Sequence, residues 1–152
     1  MARELDISKI DVNFASVSVD CTDAKFYDVK DDPFEIYGLY SPKTEPVFKR
    51  LPDDVGLNTN RGVKSLYTNT AGGRLRFSTD SDYVVIRAFM SVICQHSHMT
   101  HLGTRGFDMY IDDPETGASS FYGAFMPPKT MEGDGYEQII RFKTKEIGRA
   151  HV

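Results

Sequence analysis

The chain has no tryptophan and only two cysteines, Cys21 and Cys94, in 152 residues. Two thiols so far apart, without metal-ligand spacing, argue against a disulfide framework and are read as buried or half-buried side chains. Basic charge is also short: 18 Lys and Arg stand against 22 Asp and Glu, a net of −4, which gives no electrostatic case for nucleic acid or an anionic membrane as partner. No apolar run approaches the length that spans a bilayer. The opening Met1-Ala2-Arg3-Glu4-Leu5-Asp6 lacks the apolar core of a secretory signal, so a cytoplasmic protein is expected. Nowhere does an amphipathic helical period persist over three turns.

What is present is ordinary soluble composition, 40% hydrophobic and 26% charged, in a length that suits one domain with a core of its own. Its organising stretch is Leu66 to Met90. Leu75 and Phe77 alternate with Arg74, Arg76 and Ser78, and Val84, Ile86, Ala88 and Met90 alternate with Val85, Arg87 and Phe89, so two strands are expected. Thr79-Asp80-Ser81-Asp82 supplies the polar turn between them, and Gly72-Gly73 the sharp entry.

Other strands follow the same logic. Val12 to Ser18 alternates weakly and reads as an edge strand; Phe34 to Tyr40 and Val47 to Leu51 read as two more, with Val55 to Val63 a polar, turn-rich connection. Gln95 to Thr104 is a His-, Ser- and Thr-rich connection into Arg105 to Asp112, where Phe107, Met109 and Ile111 alternate with Asp108, Tyr110 and Asp112. Asp113-Pro114-Glu115-Thr116-Gly117 is a turn, Ser119 to Met126 the returning strand, and Tyr136 to Thr144 the last. Many short strands between Gly, Pro and Asp turns predict an all-β, two-sheet β-sandwich.

Two separated blocks carry a family resemblance. Asn-Thr-Ala-Gly-Gly-Arg-Leu-Arg-Phe-Ser-Thr-Asp-Ser (69 to 81) with Tyr-Val-Val-Ile-Arg-Ala (83 to 88), and Gly106-Phe107-Asp108-Met109-Tyr110, resemble the hallmark blocks of the N-terminal accessory domain of SGNH-type (GDSL-like) esterases. The second block is that domain's Gly-x-Asp-Leu-Tyr motif with Met in place of Leu. Tyr27-Asp28, Ile36-Tyr37-Gly38, Arg50-Leu51-Pro52, Pro127-Pro128 and Tyr136-Glu137 extend the resemblance from about Phe26 to Phe142. It implies a jelly-roll-like sandwich, without cofactor, that packs on a downstream SGNH catalytic domain hydrolysing acyl esters, plausibly of acetylated carbohydrate. Asn69, Gly72, Gly73, Arg74, Arg76, His98, Gly106, Asp108 and Tyr110 are the motif residues expected at or near such an interdomain contact.

Catalytic machinery is not expected in the chain itself. An esterase nucleophile needs a serine with a histidine base and an oxyanion hole. Neither Gly-Asp-Ser, Asp-x-x-His nor Gly-x-Ser-x-Gly occurs. Asp80-Ser81 follows Thr79 instead of glycine and sits between two strands, whereas the family's serine leaves a strand into a helix. His96, His98 and His101, spaced two then three, are read as a loop and not as a metal site. Arg74, Arg76 and Arg87 are expected on adjacent strands, on a solvated face with acidic cross-strand neighbours. Tyr37, Tyr40, Phe121, Tyr122 and Phe125 could form a sugar platform in a stand-alone carbohydrate-binding module, although aromatics at strand spacing are more often core.

Ile147-Gly148-Arg149-Ala150-His151-Val152 reads as foreign to the rest. A sequencing-adapter stretch, AGATCGGAAGAGCACACGTC, encodes these six residues in one frame, its first two bases closing the codon of Glu146. The domain is therefore expected to span residues 1 to 146, with 147 to 152 an artefact and a catalytic domain missing downstream.

Overall fold

The structure, a computed structural model, describes residues 23–90, 97–129 and 134–143, and the backbone of 148–151. Among the described residues seven strands and three short helices follow one another: β1 (Glu35–Tyr37), α1 (Asp53–Asn58), α2 (Arg61–Leu66), β2 (Arg74–Thr79), β3 (Tyr83–Phe89), α3 (His101–Arg105), β4 (Phe107–Asp112), β5 (Ser119–Phe125), β6 (Gly135–Arg141) and β7 (Gly148–His151). Every strand pair whose register is defined is antiparallel. The protein is all-β, with more than one sheet, as its alternating pattern predicts. Among the described residues no helix is long and apolar enough to cross a membrane. The expected edge strand at Val12 to Ser18, and both cysteines, lie outside the described residues.

Contacts divide the described residues into two compact units, one holding Tyr27–Phe77 and the other Phe26 with the residues from Ser78 onward. In the first unit β1 pairs with β2, setting Glu35 opposite Arg76 and Tyr37 opposite Arg74. Phe34 and Phe77 pack their rings 5.7 Å apart. β1 is shorter than its alternation suggests because Gly38 turns away at a φ of +75° and Ser41 at +37°. Val47 to Leu51 forms no strand. Lys49 is buried there, and its ammonium lies 2.8 Å from both Glu45 and Asp53.

Helices occur where the sequence suggested only turns. Asn60 caps α2 by accepting from the Val63 amide at 3.0 Å, and Thr100 caps α3 by accepting from the Gly103 amide at 3.1 Å. At five or six residues they are too short to show three turns of periodicity, and such helices rely on capping and tertiary contacts.

In the second unit β4 lies between β5 and β7, and β3 pairs with β6 along its whole length, Tyr83 opposite Arg141 through Phe89 opposite Gly135. The core here is made by Met109, Phe125 and Tyr136, all fully buried. Gly123 of β5 leaves room for Ile140 of β6, since a Cβ at Gly123 would already touch the Ile140 Cδ1 at 3.4 Å. Tyr136 donates to the Arg105 carbonyl at 2.6 Å, tying β6 to the end of α3. Burial pushes the Tyr136 phenol up from its ordinary pKa. Beside it, Arg87 of β3 pairs with the buried Glu137 of β6 and lies over the Phe26 ring at 3.7 Å.

The Thr79–Asp82 turn does not close a hairpin. β2 pairs with β1 whereas β3 pairs with β6, so the turn carries the chain from one sheet into another. Arg74 and Arg76 are accordingly not on a strand adjacent to that of Arg87. Period-2 alternation fixes which side chains share a face, but it does not choose the ladder partner.

Candidate functional site

The first motif block is built on glycine geometry. Asn69 donates its amide to the Leu66 carbonyl at 3.0 Å as the chain leaves α2, and the Gly73 amide closes a turn on the Thr70 carbonyl at 2.8 Å. Gly72 sits in that turn at a φ of +89°. Its carbonyl crosses directly over Gly38, where a built Cβ would lie 2.3 Å from the Gly72 oxygen. Two backbones therefore meet at a contact that no side chain could share, and Asn69, Thr70, Ala71 and Gly72 are left exposed on the outside of it.

Immediately after the turn, Arg74 and Arg76 enter β2. The Arg74 guanidinium stands 6.0 Å from the Tyr37 ring, and the Tyr37 hydroxyl donates to Glu35 Oε2 at 2.7 Å. That bond holds the Tyr37 proton and raises its pKa. Arg76 is paired in register with Glu35. The face is polar and solvated, with Arg, Glu and Tyr supporting one another across the strands.

The second block starts at the end of α3. Gly106 accepts a close approach rather than a special φ: its amide donates to the Leu102 carbonyl at 2.8 Å, and a Cβ there would lie 2.2 Å from Leu102 Cδ1 and 2.8 Å from that carbonyl. Asp108 is exposed opposite Ala124. Tyr110 is half-buried and meets the Phe121 ring edge-on at 5.7 Å. The ladder register shifts between Met109 and Tyr110, so Met109 opposes Gly123 while Tyr110 opposes Phe121 and Tyr122 is the extra residue. Burial along β4 does not follow a strict alternation: Phe107 remains partly exposed, whereas Asp112 is buried and accepts from the Ser119 hydroxyl at 2.5 Å.

The motif residues thus fall into two places. Asn69, Gly72, Gly73, Arg74 and Arg76 lie together in the first unit, and Gly106, Asp108 and Tyr110 lie together in the second with His98 in the turn before α3. The Ser81 hydroxyl accepts from the Tyr83 amide at 3.3 Å, and the Ser81 amide donates to Thr79 Oγ1 at 3.1 Å, so Ser81 helps to shape a strand-to-strand turn. Among the described residues no three of His, Cys, Asp and Glu stand close enough to hold a metal ion. His96 lies outside those residues. The five aromatics do not form one platform: Phe125 is core, and Tyr122 packs on Phe142 while its hydroxyl accepts from the Lys143 amide at 2.7 Å.

Sequence reasoning missed the polar lock of the first unit. Lys49 bonds Asp53 and Glu45, and Asp53 is also bonded by Tyr67, whose ring lies against Gly56 in α1. The spacing Glu45, Lys49, Asp53 is a run of i,i+4 steps, but Glu45 and Lys49 lie outside any helix, so a helical reading would not have predicted the lock.

A family profile described as the GxDLY N-terminus of SGNH hydrolase-type esterases matches residues 24–147. The chain belongs to this family. No curated protein matches it. A solved structure from Bacteroides ovatus, described as a GDSL-like lipase, has the same fold over 77% of this chain, with 22% identity and a TM-score of 0.62. The chain spans about a third, 33%, of that protein's length. The matched residues of the GxDLY family include both glycine contacts, Gly38 with Gly72 and Gly106 with Leu102.

Proposed function

We propose that this GxDLY domain is the non-catalytic N-terminal module of a longer SGNH-type esterase, a jelly-roll-like sandwich that packs on a downstream catalytic domain and helps to shape its substrate cleft. The observation that carries the reading is the family match over residues 24–147, whose description is the N-terminus of such esterases. The absence of a Gly-Asp-Ser or Asp-x-x-His pattern from the sequence supports the division of labour: the nucleophile and its base come from elsewhere in the polypeptide. Ester hydrolysis by a Ser-His-Asp arrangement, with acetylated carbohydrate as substrate, is the activity that this reading assigns to the whole protein. Ligand clefts form preferentially at domain junctions, which gives an accessory sandwich a part in specificity without a catalytic residue.

The domain boundary at Glu146 belongs to the same proposal, with residues 147–152 read as adapter-derived. The experiment that tests both is recovery of the uninterrupted gene across Glu146. The complete product and residues 1–146 alone are then assayed for hydrolysis of an activated acetyl ester. Activity is expected in the complete product only. A reading frame that encodes the same six residues and a stop in clean genomic DNA would refute the proposal and leave a stand-alone module.

A further inference from the structure

The segment from Leu51 to Leu66 is tied by a set of polar bonds, and four of its five aliphatic side chains, all but Val63, stay exposed. Its inward side is the Tyr67 ring on Gly56, where the Tyr67 Cδ2 would lie 2.4 Å from a Cβ. Around this contact, Lys49 bridges Glu45 and Asp53, the Arg50 amide donates to the Tyr67 carbonyl at 2.9 Å, and Arg50 Nη2 donates to the Leu66 carbonyl at 2.7 Å. Thr59 Oγ1 closes α1 on the Val55 carbonyl at 2.6 Å. Gly56, a residue without a side chain, is the buried residue of α1, and α2 has none.

Leu51, Val55, Leu57 and Leu66 meanwhile remain 36%, 43%, 47% and 51% exposed. Leu51 and Val55 are four residues apart. The pairing of Arg50 with Tyr67 sets Leu51 in the segment beside Leu66. Six-residue helices have little stability of their own in water and normally gain it by burying an apolar side. Here Val55 and Leu66 stay exposed on helices already held by a cap and by polar bonds, an arrangement that suits a surface covered by a partner.

We infer that the exposed aliphatic side chains Leu51, Val55 and Leu66 of the α1–α2 hairpin mark the surface on which the downstream catalytic domain of the same polypeptide docks. The inference rests on the proposed function and specifies its contact. The occupant is argued from length: the solved relative of the same fold is about three times as long as the part this chain matches, and the family's description makes the matched part an N-terminus. A domain tethered in the same chain needs only a modest apolar patch, because tethering replaces a bimolecular encounter with an intramolecular one.

The test uses amide hydrogen exchange over residues 53–66, in the 152-residue chain and in the complete polypeptide read across Glu146. Exchange in this segment is expected to slow at least tenfold in the complete polypeptide. The double variant Val55→Glu, Leu66→Glu is expected to leave the melting temperature of the 152-residue chain unchanged. In the complete polypeptide it should abolish the protection and enlarge the radius of gyration. Equal exchange in both forms, in a complete polypeptide that does hydrolyse the ester, would overturn the docking surface while leaving the accessory function standing. Protection already present in the 152-residue chain, whether independent of concentration or rising with it, would also overturn it, by showing that the chain itself or a second copy covers the hairpin. A complete gene without an SGNH domain would overturn the function and the surface together, and is distinguished by its sequence.

Discussion

Replacing Gly38 and Gly72 by alanine, one at a time, separates two costs that the crossing of their backbones combines. Both residues have positive φ, +75° and +89°, where an L side chain is strained by about 1–2 kcal/mol. At Gly72 that strain is the whole effect, because nothing lies within 4 Å of the new Cβ. At Gly38 the methyl would also sit 2.3 Å from the Gly72 oxygen and 3.2 Å from its carbonyl carbon. Backbone cannot step aside as a side-chain tip can, so forcing the two strands of chain apart adds an overpacking cost of about 1–3 kcal/mol. Gly72→Ala is thus expected to cost about 1–2 kcal/mol and Gly38→Ala about 2–5 kcal/mol. At roughly 3 °C per kcal/mol for a chain of this size, the melting temperature should fall by about 3–6 °C and 6–15 °C respectively. Circular dichroism melts of the two purified variants beside the parent decide the matter. Equal losses would refute the close approach of Gly38 to the Gly72 carbonyl, and no loss at Gly72 would refute its positive φ.

Gly56→Ala inverts a familiar rule. Glycine to alanine in a helix ordinarily stabilises by about 1 kcal/mol, but the methyl here would enter the Tyr67 ring at 2.4 Å, so a lower melting temperature is expected; Gly103→Ala in α3, with its nearest new contact an ordinary 3.4 Å to Thr100 Oγ1, should raise it, and a rise in both variants would contradict the Tyr67 contact. Tyr136→Phe leaves the buried Arg105 carbonyl without its donor and should cost about 1–3 kcal/mol in urea unfolding, with a cost below half of that counting against the bond. For pH, the Lys49 hydrogen bond lowers the Asp53 carboxyl, and the Thr116 and Glu115 amides lower Asp113. Their contribution is complete above the unfolded value of about 3.9 and is lost as pH falls through the depressed folded values. Lys49 is raised by its bonds to Asp53 and then Glu45, so its contribution is complete below the unfolded value of about 10.4 and is lost as pH rises through the raised folded value. Melting temperature followed from pH 2 to 11 should hold a plateau from about 5 to 10, and Asp53→Asn should flatten its acid edge; an acid edge unchanged by that substitution would remove Asp53 from the account.

What the sequence determined by itself was the class of the fold and its motif blocks. Alternation at Arg74 to Phe77, Tyr83 to Phe89 and Phe107 to Asp112 is local, because successive side chains on a strand point to opposite faces whatever the partner. The turn at Asp113–Gly117 was equally legible: Asp113 Oδ1 accepts from the Glu115 and Thr116 amides at 2.8 and 2.9 Å, and Gly117 takes a φ of +69°. Tertiary structure decided the rest. It sent β2 and β3 to different partners, since ladder pairing depends on chain far away in sequence. It buried Asp112, where the Ser119 hydroxyl meets it, and left Phe107 partly exposed, against a strict alternation. The three helices came from single caps and from Tyr67 on Gly56, signals too short for a period to register. Lys49 is buried because two carboxylates converge on it. The outward aliphatics of the α1–α2 hairpin became visible only once the inward side was seen to be filled by a tyrosine ring, a glycine and a set of ion pairs.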